Sequence, residues 1–165
     1  GYMKTPKITS KKTVETAFRC WPVDIDLYFH MNNSNYLRTS ELARWRLFPG
    51  SGFFGAALKT RMMFLAVDQK ITYLRPIQAF QQYIIETKCD IYSDDKWIWY
   101  THTFKEHPDR VKPDTEPKIF AKIELRAVMK EQSGKTIKPS TLGAQEGVTA
   151  LITDLYEKHE TDKPI

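Results

Sequence analysis

Cysteine is scarce in this chain of 165 residues, and long apolar runs are missing. Cys20 and Cys89 are too few for a disulfide framework and have no metal-ligand spacing, which points to a reducing compartment. No stretch is long and apolar enough to span a bilayer, and no signal peptide is visible, so an intracellular, cytoplasmic location is expected. The chain begins with Gly1 rather than Met, which leaves room for a targeting or anchor segment already removed. A glycine-rich loop, a zinc finger and an RNP-like aromatic motif are all lacking, so nucleic acid is not an expected partner. His102, His107 and His159 form no ligand spacing with one another or with cysteine, and neither a metal nor a cofactor is expected.

What is present suits a folded domain. Apolar residues make up 41% and aromatics 13%, enough apolar surface to offset the entropy of ordering. The length fits one domain. The formal charge of +5 comes from lysines and arginines scattered along the chain, with clusters at Lys4 to Lys12 and Lys130 to Lys138 that read as solvated tails or loops.

The pattern divides into a lead-in over 1–12, a domain over 13–131 and a C-terminal extension over 132–165 with a short helix near Thr149 to His159. Val14 to Trp21 is rich in β-branched and aromatic residues and stops at Pro22, predicting a first strand. Asn33 to Phe48 contains no Pro or Gly, can be capped at Asn33 or Ser34, and ends at Pro49-Gly50, predicting one long helix. Tyr36, Ser40, Ala43 and Leu47 share one face of it, with small residues that let a sheet approach closely. Arg38, Glu41 and Arg44 lie off that face, where pairing among themselves in solvent is the simplest reading. Four strand-like runs follow at Arg61 to Tyr73, Tyr83 to Tyr92, Trp97 to Glu106 and Lys118 to Lys130, the second and third joined by a short polar turn that implies antiparallel pairing. Bulk on both faces of the third suits a strand in the middle of a covered or dimer-forming sheet. The fold class is therefore α+β, an antiparallel sheet of about five strands wrapped around one central helix.

The densest chemistry lies between the first strand and the helix. Asp24, Asp26, His30, Asn32, Asn33 and Asn35 fall within a dozen residues that run into a helix N-terminus. A carboxylate can activate a water there, and the unpaired backbone N–H groups of the first turn can hold a developing oxyanion. An Asp-x-Asp before a helix also serves ordinary loop and capping chemistry.

In register, Asp24, Asp26, His30, Met31, Asn32, Asn33, Tyr36, Leu37, Glu41, Ala43 and Arg44 resemble the motif of the hotdog-fold acyl-CoA thioesterases of the 4-hydroxybenzoyl-CoA thioesterase-like branch. Ile71-Thr72-Tyr73-Leu74-Arg75-Pro76 is similar to a later strand of that family, and the resemblance covers roughly residues 14 to 130. One position departs: the family glycine before the histidine is Phe29, as in a less characterised branch reading Asp-x-x-x-His-Met-Asn-Asn. Glycine reaches positive φ freely and Phe does not.

The resemblance implies a hotdog fold and hydrolysis of an acyl-CoA or acyl-carrier-protein thioester. Asp26 aligns with the catalytic carboxylate, as general base toward water or as nucleophile forming an anhydride. His30 and Asn33 are candidate catalytic partners, with Asn32, Tyr36, Lys59, Arg61, Tyr73 and Arg75 on the substrate side, the cations toward CoA phosphates. Asp24 reads as a loop stabiliser and Glu41 as a paired surface or interface carboxylate. Trp97, Trp99 and Phe53-Phe54 are candidates for an acyl channel or for core packing. The family forms homodimers or homotetramers with sheets joined edge to edge. Phe29 keeps a second class open, a non-catalytic module that binds acyl-CoA or serves as a dimerisation scaffold.

Overall fold

The computed structural model describes residues 7–10, 13–47, 61–91 and 96–138. Its strands are β1 (Lys7–Ser10), β2 (Thr13–Arg19), β3 (Met63–Tyr73), β4 (Gln82–Ile91), β5 (Ile98–Glu106), β6 (Ile119–Lys130) and β7 (Thr136–Ile137), with one α-helix, α1 (Asn33–Trp45), between β2 and β3. They form one antiparallel sheet in the order β1-β2-β4-β5-β6-β3, with β7 paired to β6. The five long strands are those the sequence predicts. Lys7–Ser10 and Thr136–Ile137 differ from expectation: both lie in segments read as lead-in and extension, yet each adds a short strand to the sheet. The expected terminal helix near Thr149 lies outside the described residues.

The helix begins where the Asn32 side chain accepts the Ser34 N–H at 2.9 Å, satisfying one of the first-turn donors. It buries Tyr36, Thr39, Ser40 and Ala43, and Leu47 just past its end is buried as well. The predicted face is the buried face. Small side chains at Ser40 and Ala43 bring the backbone close to the sheet, while Tyr36 packs at 5.2 Å between ring centroids against both Phe104 and Tyr73. The helix core joins Tyr83, Ile85, Phe104 and Ile123 from the inner faces of three strands.

Strand β5 sits between β4 and β6 and turns Ile98, Tyr100, His102 and Phe104 inward, all buried. Trp99 points the other way, where the Arg126 guanidinium covers it at 5.7 Å and Trp97 at 4.5 Å. The two tryptophans therefore line no channel beneath the helix; Phe53 and Phe54 lie outside the described residues. Arg38 and Arg44 differ from expectation too. Arg38 reaches Asp24 at 2.6 Å, and Arg44 lies 5.5 Å from the Tyr100 ring centroid, so both cations find partners on other elements. No helix among the described residues is long and apolar enough to cross a membrane.

Candidate active site

The loop between β2 and α1 is built by its first aspartate. Asp24 is buried, its Oδ2 accepts the Trp21 N–H at 2.8 Å and its Oδ1 meets Arg38. Its carbonyl accepts the Asn32 N–H and the Asn35 side-chain amide, each at 2.8 Å. Asp24 thus ties the loop to the helix it precedes, as a stabiliser. Asn35 shares that task.

Asp26 is placed differently. Its carbonyl accepts the Phe29 N–H at 3.1 Å and its N–H donates to His30 at 2.9 Å, closing a tight turn. Oδ1 accepts the Tyr28 N–H at 2.8 Å, which orients the carboxylate; among the described residues no protein donor holds the other oxygen. Met31 then donates its N–H to Ile77 at 2.9 Å and His30 bridges to Gln78, pinning the far side of the loop to the segment before β4.

Phe29 closes this turn at φ 60°, with its ring in solvent. The backbone adopts the conformation a glycine would supply, at a steric cost of about 1 kcal/mol. Replacing Phe29 by Gly is expected to leave the turn intact and raise stability by up to about 1 kcal/mol, since relieved strain outweighs the added freedom of the unfolded chain. A urea midpoint lower than that of the parent protein would contradict this.

A cavity of about 340 Å³ opens beside the turn, lined by Asp26, Tyr28, His30, Met31, Asn33, Tyr36, Tyr73, Leu74, Arg75 and Pro76. Six of the nine candidate residues thus meet here: Asp26, His30, Asn33, Tyr36, Tyr73 and Arg75. Asn32 does not line it. Its side-chain oxygen accepts both the Ser34 N–H and the Ser34 hydroxyl at 2.9 Å, which caps the helix. Replacing Asn32 by Ala is expected to cost about 1 kcal/mol, read from chemical unfolding, with a much smaller effect on affinity for substrate. Arg61 stands before β3, at the opposite end of that strand from Tyr73, and Lys59 lies outside the described residues. Glu41 is exposed on the helix, outside the cavity lining.

Tyr28, Met31, Leu74 and Pro76 also line the cavity. They are chain neighbours of the residues already singled out; that adjacency was the available signal.

Two other groups are held protonated at neutral pH. Burial pushes the Tyr36 hydroxyl up to about 12, a backbone hydrogen bond with Ile77 partly offsetting this and Cys20, Tyr73 and Asp26 adding to it. Tyr36 is a hydroxyl here, not a base. Burial, with the Asp24 charge adding, likewise raises the Cys20 thiol to about 11, so no thiolate nucleophile forms beside the loop. Asp26 and His30 line the cavity beside Tyr36.

The curled antiparallel sheet around one helix, with this cavity at the helix N-terminus, defines a hotdog domain. The chain belongs to the Thioesterase-like superfamily, whose profile matches residues 20–138. It is 34% identical over 83 residues to Protein THEM6 of Xenopus laevis, spanning 50% of this chain and 40% of that one. To Protein THEM6 of Drosophila melanogaster it is 30% identical over 104 residues, 62% of this chain and 52% of the relative. The chain thus spans about half the length, or less, of the curated relatives it matches. Among solved structures, a 4-hydroxybenzoyl CoA thioesterase mutant complexed with 4-hydroxybenzoyl CoA superposes with a TM-score of 0.68 at 14% identity, covering 86% of this chain and 99% of that one. A hypothetical protein from Staphylococcus aureus in complex with CoA superposes at 0.71 and 14% identity, covering 96% and 93%. At such identities the likeness is one of fold.

Proposed function

We propose that the protein hydrolyses an acyl-CoA thioester to the free acid and CoA. The observation that carries this reading is the meeting of the Asp26 carboxylate, His30 and the first residue of the helix, Asn33, around one cavity. Ser34 gives its N–H to the Asn32 side chain and Asn35 gives its own to the Asn32 carbonyl at 2.9 Å. The Asn33 N–H has no protein acceptor among the described residues, and it sits at the positive end of the helix dipole. A thioester carbonyl seated there accepts that N–H and is polarised. Asp26 takes a proton from a water as its oxygen attacks the acyl carbon. The C–S bond breaks as the tetrahedral intermediate collapses, and the sulfur leaves with a proton as CoA thiol. Direct attack by the carboxylate, giving an anhydride that water opens, is the variant.

Tyr36, Tyr73, Leu74 and Pro76 offer an apolar and aromatic wall for the acyl end, and Arg75 supplies a cation at the same cavity for the CoA end. The ligands of the two solved relatives, CoA and 4-hydroxybenzoyl CoA, are of this kind. Phe29 favoured a non-catalytic module as long as it stood for a changed backbone. Since φ at Phe29 is 60°, the turn that presents Asp26 is kept, and the hydrolase reading is the better supported. Steady-state release of CoA thiol from short, long and aromatic acyl-CoAs tests it. No release across the panel, with CoA still bound, would return the protein to the binding class.

A further inference from the structure

We propose that the end of the domain around the cavity mouth docks on an anionic lipid bilayer, with Val23, Leu27 and Phe29 entering the interface and Trp21, Phe80 and Arg19 seated at headgroup level. The docking stands apart from the thioesterase reading. Its consequence for substrate, an acyl-CoA whose chain is long enough to partition into lipid, rests on that reading.

Two loops build this face. Cys20 donates its N–H to Gln81 at 2.9 Å and its carbonyl accepts the Phe80 N–H at 2.7 Å, while Met31 donates to Ile77 at 2.9 Å and His30 bridges to Gln78. The segments 20–31 and 77–81 therefore lie side by side. Leu27 is 94% exposed, Val23 86%, Tyr28 79% and Phe29 73%, and the rings of Trp21 and Phe80, about half in solvent, meet edge to face with centroids 6.4 Å apart. Single exposed apolar residues are ordinary; this many on two adjoining loops make a patch of the kind that marks a binding surface.

The backbone points the same way. Phe29 and Phe80 hold φ at 60° and 63°, where a glycine would sit without strain, and both carry their rings into solvent. Such strain, held while a large apolar ring faces water, is the mark of a surface with a partner outside the domain.

The chemistry of the patch selects lipid as that partner. Aliphatic and Phe side chains suit the acyl region, and Trp, Tyr and Arg suit the headgroup level. Arg19 lies 5.8 Å from the Trp21 ring centroid and donates to the Phe80 carbonyl at 3.2 Å, which sets a guanidinium between the two aromatic residues. Arg75 is exposed at the cavity. Neither loop exposes an acid, since Asp24 is buried and held by Arg38, and Asp26 is partly buried at the cavity. The neighbouring connection from β5 to β6 sets Asp109, Asp114 and Glu116 against Arg110, Lys112 and Lys118 and adds no net charge. Anionic headgroups thus meet cations on this face without an opposing carboxylate. Tyr28 belongs both to the patch and to the cavity lining, so a protein seated this way opens its cavity toward the bilayer surface.

The test uses vesicles of phosphatidylcholine with phosphatidylserine, and of phosphatidylcholine alone. The parent protein should sediment with the mixed vesicles, and Val23→Ser with Leu27→Ser, neither of which lines the cavity, should weaken that binding by about tenfold or more at an unchanged urea midpoint. Arg19→Glu and added salt should each weaken it severalfold. Lipids brominated in their acyl chains should quench tryptophan fluorescence in the parent protein and markedly less in Trp21→Phe, which distinguishes insertion from diffuse attraction. A parent protein that stays in the supernatant, equal binding to both vesicle types, or a double variant that binds like the parent overturns the docking. So does a parent protein that ignores vesicles and self-associates until Val23 and Leu27 are replaced, because the occupant is then a second copy.

Turnover separates this inference from the thioesterase reading. With long-chain acyl-CoA in the mixed vesicles, the double variant should lose kcat/KM severalfold, and with short-chain acyl-CoA in water it should match the parent protein. An equal loss on both substrates overturns the role in collecting substrate from lipid. Vesicle binding that depends on Val23 and Leu27, without turnover of any acyl-CoA, would instead reject the thioesterase reading while leaving the docking standing.

Discussion

Replacing Asp26 by Asn is expected to lower kcat for acyl-CoA hydrolysis by roughly a hundredfold to ten-thousandfold, the usual contribution of a positioned general base. The substitution is chosen because it separates chemistry from structure. The amide keeps an Oδ1 that can accept the Tyr28 N–H at 2.8 Å, and the turn closed by the Asp26 carbonyl and the Phe29 N–H involves only backbone. The loop should therefore hold, and CoA should bind about as well as before. What is lost is the second oxygen's capacity to take a proton or attack carbon. The measurement is thiol release over a range of substrate concentrations, beside a urea unfolding curve to confirm that the fold is intact. Turnover within a fewfold of the parent protein would remove Asp26 from the mechanism and leave His30 as the base to examine. An unfolding midpoint far below that of the parent protein would show that the carboxylate is structural, as Asp24 is.

Acidification is expected to destabilise the protein through a residue that does not line the cavity. His102 is fully buried on the inner face of β5, its Nδ1 3.0 Å from the Thr87 hydroxyl and its ring stacked near Tyr100; among the described residues Nε2 has no hydrogen-bond partner. Burial, and secondarily the charge of Arg44, lowers its pKa to about 3. The folded state therefore keeps His102 neutral while the unfolded chain takes up a proton near its ordinary value of 6.5. Between those two values the unfolded state binds more protons, so stability falls as pH falls.

The loss begins near pH 6.5, reaches about 2 kcal/mol by pH 5 and approaches about 5 kcal/mol near pH 3, at 1.36 kcal/mol per unit. Against a total stability of about 5–15 kcal/mol, that removes a sizeable part of the margin as the pH falls toward 3. Urea unfolding at pH 7, 6, 5 and 4 on the parent protein and on His102→Gln measures it. The variant should start less stable and lose less on acidification, and the difference between the two curves isolates the histidine from the carboxylates. Parallel curves would show that His102 takes up its proton in the folded state.

The secondary structure was legible because it is written in local terms. The run from Asn33 lacks Pro and Gly and sets Tyr36, Ser40, Ala43 and Leu47 on one face, and those residues are buried. The polar join after the second run implied a hairpin, and β4 and β5 pair throughout. The short strands at Lys7–Ser10 and Thr136–Ile137 were not legible, since runs of two to four residues become strand only when a neighbouring edge offers hydrogen bonds.

The candidate site divides along the same line. That an acid-rich loop feeds a helix N-terminus follows from chain order, so Asp26, His30 and Asn33 could be picked out before any fold was known. Which carboxylate stands where could not: Asp24 and Asp26 are two residues apart, yet one is buried against Arg38 and the Trp21 N–H while the other lines a cavity. Asn32 and Asn33 are adjacent, yet one caps the helix and the other lines the cavity. Arg38 and Arg44 found their partners on a loop and a strand rather than along the helix. Residue types and their local spacing determined the helix, the strands and the inventory of chemical groups, because hydrophobic period and capping act over a few residues. The tertiary structure alone decided which of those groups share a cavity and which are spent holding the chain, because burial and hydrogen-bond partners are set by elements that meet from far along the sequence.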